Sequence, residues 1–191
     1  MSLFNIFIKA ALIDNIVLMG FLALCSFVGM TNDEEKAFGM SVAVTFVTVM
    51  ANLVAWPIYI YILKPLNLTF LSILAFILVI ASLVQLVEFF LRKKIPPLYN
   101  AMGIYLPLIT TNCAVLAVTL NSIQWGYTYI EAIVYAVGVS VGYMLAMILL
   151  AGLRRRIRNS PIPNFLKGTP ILFVATALMS MVFMGFSGLV K

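Results

Sequence analysis

The chain has 191 residues and a net charge of +6; 64% of its residues are hydrophobic and 9% are charged. Soluble domains carry about 25% charged residues, so this composition excludes a water-exposed globular surface and calls for lipid as solvent. The absence of histidine excludes histidine acid–base chemistry, bis-histidine haem and Cys/His zinc sites, and six scattered acids leave little room for a hydrolytic carboxylate pair.

The N-terminal stretch MSLFNIFIKAALIDNIVL has no basic n-region and no small-residue cleavage site. It reads as a retained membrane segment. It opens the first of six apolar spans, predicted over residues 3–30, 37–63, 69–91, 99–121, 128–153 and 169–190. Each is expected to be helical, because backbone exposed to lipid must satisfy its own hydrogen bonds. The first span would be about 42 Å long at 1.5 Å per residue, too long for a straight crossing of a core about 30 Å thick. Gly20 and Gly29 offer weak points in it. Asp14 is an acid inside a span and so a candidate ion or proton site, with pairing to Lys9 as the plain alternative. Cys25 follows eleven residues later, on the same face as Asp14 if the helix is continuous.

The second span follows the break Asn32-Asp33-Glu34-Glu35-Lys36 and ends near Trp56 and Lys64-Pro65. The third ends at Arg92-Lys93-Lys94, with Glu88 placed for an i,i+4 pair with Arg92. The fourth carries Gly103 and Pro107, and an interior proline kinks or breaks a helix. Thr110, Thr111, Asn112 and Cys113 lie in mid-span, where polar side chains can bond the sulfur or a neighbouring helix. Trp125, Tyr127 and Tyr129 surround the next break and, with Trp56, suit interfacial belts. Glu131 suits the N-terminus of the fifth span, and Gly138-xxx-Gly142 is a close-packing motif. Arg154-Arg155-Arg156-Ile157-Arg158 reads as a topology signal, or as a docking point for an acidic partner or anionic lipid.

Nine of the twelve Lys and Arg lie in the 1–2, 3–4 and 5–6 loops; Lys9, Lys64 and Lys191 lie elsewhere. The positive-inside rule then puts those loops in the cytoplasm and both termini outside. This pattern of charge speaks for membrane topology and against nucleic acid. Three spans per half would run in opposite directions. Each half, 1–95 and 96–191, carries one cysteine in its first span and a proline-led approach to its last, from Pro65 and from Pro163. Inverted repeats of this kind place sites near the midplane, at discontinuous helices.

A free cysteine is often a small buried hydrophobe. Thiolates also suit iron–sulfur clusters. Two thiols without histidine are half of a four-ligand set, so a cluster here would be shared with another chain. No phosphate loop, dinucleotide fingerprint or CxxC occurs.

The strings IDNIVLMGFLALCSFVGM, PLNLTFLSILAFILVIASLVQ, PPLYNAMGIYLPLITTNCAVL and FMGFSGLVK resemble one family of membrane subunits. That family comprises the A-type subunit of the Rnf electron-transport complex and the E-type subunit of the sodium-pumping NADH:quinone reductase. The resemblance spans nearly the whole chain. LPLITTNCAVL is its most specific part, and the short LKPLNLTFL loop is closer to the Rnf branch. Relatives often carry proline where this chain has Ser26 and glycine where it has Ala117. The amide at Asn15 fits the family pattern; the acid at Asp14 is not a fixed feature of it.

The resemblance implies an all-α integral membrane protein, with six transmembrane helices in two inverted three-helix repeats and broken half-helices carrying the cysteines. It implies a [2Fe–2S] cluster shared with a homologous membrane subunit of opposite topology, the E-type subunit of the Rnf complex. Cys25 and Cys113 would be this chain's two ligands. Read from the residues themselves, Thr111 and Asn112 would lie beside the sulfur, and Asp14 and Asn15 on an ion pathway; the resemblance supports Asn15 and weakens the case for Asp14. Further partners would be membrane lipid, a cytoplasmic iron–sulfur subunit, and a flavin-bearing subunit. The complex would carry out ferredoxin:NAD+ oxidoreduction coupled to Na+ or H+ translocation across a prokaryotic cytoplasmic membrane, with this chain not catalytic alone. The other readings are a six-helix transporter without a cofactor, or a structural subunit.

Overall fold

A computed structural model describes residues 3–31, 34–65, 71–94, 112–161 and 168–186. The regular structure among them is helical: α1 (Leu3–Ile8, continued by a π turn over Lys9–Ile13), α2 (Leu24–Met30), α3 (Glu34–Ile58, continued by a π turn over Tyr59–Leu63), α4 (Ser72–Lys94), α5 (Cys113–Gln124), α6 (Tyr129–Arg158) and α7 (Thr169–Phe186). The run Glu34–Leu63 and α6 are 30 residues each, long and apolar enough to cross a membrane.

A mostly apolar core also holds polar side chains, and large apolar side chains stand on the surface. Asn15, Ser26, Asn52, Asn112, Ser122 and Ser180 are buried, while Leu74, Leu78, Met181 and Val182 stand exposed on α4 and α7. Only an apolar solvent makes such a surface stable.

The start of α3 and the end of α6 lie outside the predicted spans. Glu34 and Glu35 form the first turn of α3, and Arg155, Arg156 and Arg158 the last turns of α6. Acids at the positive end of a helix and bases at the negative end are both favoured, so these residues extend the helices rather than stop them. Glu131 reaches back to cap the start of α6, as in one half of a capping box: the Thr128 N–H and Oγ1 each donate to Glu131 Oε2 at 2.9 Å. Gly126, at φ +66°, ends α5 and takes the left-handed turn without a Cβ penalty.

Packing divides the chain into two compact units, Met1–Val42 with Gly138–Lys191, and Ala43–Val137. In the first, the predicted 3–30 span is interrupted. It leaves helical geometry after Ile13 and resumes at Leu24. The π turn closes with Asp14 N–H donating to Lys9 O at 2.8 Å. Met19 N–H then donates to Asn15 O, and Gly20 and Leu22 N–H donate to Ile16 O. Phe21 and Ala23 adopt positive φ, 51° and 61°. Of the two expected weak points, Gly20 lies in the interruption, whereas Gly29 lies inside α2. Non-helical backbone at this depth is stable only when buried in protein, and Ile16, Val17 and Leu18 are buried.

An L-residue in the left-handed region costs about 1–2 kcal/mol. Phe21 bears this cost while 50% exposed, so its side chain returns little core packing. Phe21→Gly is therefore expected to raise the unfolding midpoint of the chain in detergent by about 2–4 °C, the equivalent of about 1 kcal/mol. A lower midpoint would show that the ring contributes more than the strain removes.

In the second unit, Asn52 of α3 ties α5 and α6 together. Its Nδ2 donates to Ala132 O at 2.6 Å and its Oδ1 accepts from Ser122 Oγ at 3.0 Å. Trp56 Nε1 donates to Tyr127 O at 3.1 Å, and its ring packs on Tyr129 at 5.2 Å between centroids. Trp125 packs on Tyr127 and on the buried Tyr135. The aromatic residues expected near span ends thus hold this unit's helices to one another.

Candidate functional site

The two cysteines occupy similar local positions. Cys25 is the second residue of the seven-residue α2. Cys113 is the first residue of the twelve-residue α5. Neither helix is long enough to cross a bilayer. Each begins where non-helical backbone ends: α2 after the left-handed Ala23, α5 after the extended Asn112. Cys25 is exposed, Cys113 is partly buried, and neither is in a disulfide. The cysteines belong to different packing units.

At Cys113, the preceding Asn112 caps the helix: its Oδ1 accepts from Ala114 N–H at 3.0 Å. Its Nδ2 is buried and has no hydrogen-bond partner among the described residues. Leaving such a donor unsatisfied costs about 1–3 kcal/mol. It is a donor that awaits an acceptor, one residue from the thiol. Thr111, also expected beside the thiol, lies outside the described residues, as do Thr110, Gly103 and Pro107.

At Cys25, the neighbouring Ser26 is buried. Its Oγ donates to Ala23 O at 2.9 Å and lies 3.0 Å from Tyr143 Oη on α6. The far end of α2 is held by Arg154, whose Nη1 donates to Val28 O at 2.8 Å and Thr31 Oγ1 at 2.9 Å. The arginine run thus has a member with a structural task, satisfying a carbonyl at the C-terminal end of the helix.

Asp14 and Asn15 stand at the interruption with distinct roles. Asp14 Oδ2 lies 3.7 Å from Lys9 Nζ, both side chains part-exposed. The interruption between Asp14 and Cys25 removes the common helical face expected for a continuous helix. Asn15 is buried and fully engaged: Nδ2 donates to Gly142 O at 2.9 Å and Ala11 O at 3.4 Å, and Oδ1 accepts from Val17 N–H at 3.2 Å. Ser180 Oγ of α7 donates to Leu18 O at 2.7 Å. Gly138 and Gly142 let α1 approach α6 closely: a Cβ on Gly138 would lie 3.0 Å from Phe7 O, and one on Gly142 2.6 Å from Ala11 O. The Gly-xxx-Gly signal foretold packing of this kind; no sequence signal singled out Tyr143 or Ser180.

Among the described residues, no group of three or more His, Cys, Asp or Glu could hold a metal ion. Two thiols on two helix starts are a partial donor set. Such a set fits a metal group completed by another chain, and Asn112 Nδ2, without a partner among the described residues, fits an acceptor such as sulfide or thiolate.

Residues 3–190 match the family model of the Rnf-Nqr subunit, a membrane protein. The chain is 49% identical over 189 residues to the A-type subunit of the ion-translocating oxidoreductase complex of Syntrophotalea carbinolica, covering 99% of this chain and 98% of that one. It is 48% identical over 189 residues, with the same coverage, to the A-type subunit of the Na(+)-translocating ferredoxin:NAD(+) oxidoreductase complex of Acetobacterium woodii. It is 46% identical over 186 residues to the A-type subunit of the ion-translocating oxidoreductase complex of Cereibacter sphaeroides, covering 97% of this chain and 96% of that one.

Proposed function

This chain belongs to the Rnf-Nqr family of membrane subunits, and from that premise we propose that it is a subunit of an ion-translocating ferredoxin:NAD+ oxidoreductase complex. Its part there is to supply two cysteine ligands to a [2Fe–2S] cluster completed by a homologous membrane subunit of opposite topology. The observation that carries this reading is Asn112 Nδ2, buried and without a hydrogen-bond partner among the described residues, one residue from a thiol that starts a half-length helix.

Cys25 and Cys113 would hold the cluster. When bound, it would accept and release one electron at a time, dividing a crossing of about 30 Å into two shorter transfers. Asn112 would donate its free N–H to a sulfur, which favours the more negative, reduced state. The first-turn N–H groups of α5 act in the same direction at Cys113. Val17 and Leu18 before Cys25, and Phe27 after it, are fully buried.

We infer two inverted halves, 1–95 and 96–191, in the cytoplasmic membrane of a prokaryote, with both termini external. Electrons would pass between two further subunits, an iron–sulfur one in the cytoplasm and a flavin-bearing one outside. For the coupling ion, Na+ or H+, the interruption after Ile13 is the candidate route. Asp14 provides a part-exposed carboxylate there, and Asn15 holds the surrounding backbone.

The test is iron and acid-labile sulfide content, with EPR after reduction, on the co-purified complex, comparing wild type with Cys25→Ser and Cys113→Ser. The expected result is loss of one two-iron signal in both variants with all other centres intact. An unchanged set of signals in both would return the thiols to packing roles and leave a cofactor-free transporter or structural subunit as the reading.

A further inference from the structure

We propose that Tyr143 is a positioning residue for Cys25, acting through the hydroxyl of Ser26. The proposal rests on the reading of Cys25 as a cluster ligand.

Helix α6 presents a stripe of Tyr143, Met147 and Leu150, all buried, that ends at Arg154. These positions recur at helical spacing on one face. Helix α2 is fastened to this stripe at both ends, by Tyr143 at its first turn and by Arg154 at its last. A serine hydroxyl has one proton to give. Ser26 gives it to Ala23 O, so the tyrosine is the donor across the 3.0 Å contact. The resulting chain runs from Tyr143 Oη to Ser26 Oγ to Ala23 O, and Tyr143, Ser26 and Ala23 are all at most 2% exposed.

Helix α2 cannot set its own orientation. Isolated helices shorter than about 12–15 residues are marginal, and this one has seven. Its N-cap residue sits in the left-handed region and makes no side-chain cap. The grip of α6 must supply what the helix lacks. Ser26 adjoins Cys25 in the first turn, so any rotation that breaks the Tyr143 contact also moves the thiol. A buried phenol is costly unless its hydroxyl is bonded, and Ser26 Oγ lies within hydrogen-bond distance of it.

The experiment compares Tyr143→Phe, Ser26→Ala and the double variant in the co-purified complex. Cys25→Ser identifies the centre concerned by removing its EPR signal. Thr176→Val is the control; it deletes a buried hydroxyl that donates to Leu172 O at 2.7 Å within α7. The readouts are the EPR line shape of that centre and its reduced-to-oxidised ratio at one ambient potential.

The expected result is a centre that is retained, with its line shape altered and its ratio changed about two- to fivefold in each single variant, the equilibrium factor of a typical hydrogen bond. The double variant should match Ser26→Ala, which by itself already removes the Tyr143 contact along with the bond to Ala23 O. Thr176→Val should leave both readouts as in wild type. Wild-type line shape and ratio in both Tyr143→Phe and Ser26→Ala would overturn the positioning role while leaving Cys25 a ligand. The same change in Thr176→Val would overturn it too, by making the effect one of general stability. A signal that survives Cys25→Ser would remove the ligand reading itself. Should Tyr143→Phe fail to assemble, Ser26→Ala reads the same bond from its other end.

Discussion

Gly142→Val is expected to lower the unfolding midpoint of the chain by about 6–12 °C, the shift for a loss of about 3 kcal/mol. Helix propensity alone predicts the opposite, since glycine is the poorest helix former after proline. The space around Gly142 decides the sign. A Cβ there would lie 2.6 Å from Ala11 O, 3.2 Å from Ala11 C and 3.1 Å from Asn15 Nδ2. Two of those atoms are backbone of the π turn and cannot swing aside. Moving α1 away from α6 would also lengthen the bond from Asn15 Nδ2 to Gly142 O. Gly152 provides the control on the same helix, because a Cβ there meets nothing within 4 Å. Gly152→Ala should hold or raise the midpoint. Fluorescence-detected size exclusion after heating is the suitable assay. The two tryptophans, Trp56 and Trp125, both lie in the other packing unit and would report poorly on this one. A Gly142→Val midpoint at or above wild type would show that α1 does not pack this closely.

Asn15→Leu should be comparably damaging, at about 3 kcal/mol, even though it preserves much of the side-chain volume. The amide serves backbone on three sides of the interruption: Gly142 O, Ala11 O and Val17 N–H. Leucine leaves the Val17 N–H buried without its acceptor, in a segment with no helical ladder to take it up. Asn15→Asp separates the two halves of the task. It keeps an acceptor for Val17 N–H but aims a carboxylate at two carbonyl oxygens. It should be as unstable as Asn15→Leu at neutral pH and recover as pH falls, when the protonated acid can donate to Gly142 O. Equal stability of all three proteins would mean that the amide does not hold the interruption. Asn15→Leu and Gly142→Val should also combine with less than additive loss, since one removes and the other lengthens the bond from Asn15 Nδ2 to Gly142 O.

These two residues show how far the sequence reads. The string Gly138-xxx-Gly142 announces close packing, because only small residues let backbones approach in lipid. It does not say which helix arrives. The excessive length of the first span announces a discontinuity, because 28 residues overrun the membrane. It does not locate it. The position is set by Asn15 and Ser180, polar side chains that reach carbonyls on or from distant parts of the chain. Gly29, a plausible weak point by composition, stays helical because α2 is held by Tyr143 and Arg154 from α6.

The sequence by itself determined the class of this protein. Low charge and long apolar runs leave lipid as the only workable solvent, and within lipid the backbone has little choice but helix. Two thiols without histidine also limited any metal site to half a ligand set, and the motif strings carried the family. Only the tertiary structure decided where each cysteine stands on its helix and what steadies it. Cys113 follows the extended cap Asn112; Cys25 falls in a first helical turn because non-helical backbone precedes it, and that backbone is stable only where distant side chains and buried packing replace its missing hydrogen bonds. Such partners are far apart in sequence: Asn15 and Gly142, Ser26 and Tyr143, Val28 and Arg154. Local pattern carries no trace of these pairings, because a hydrogen bond across more than a hundred residues depends on the folded path of the chain between them.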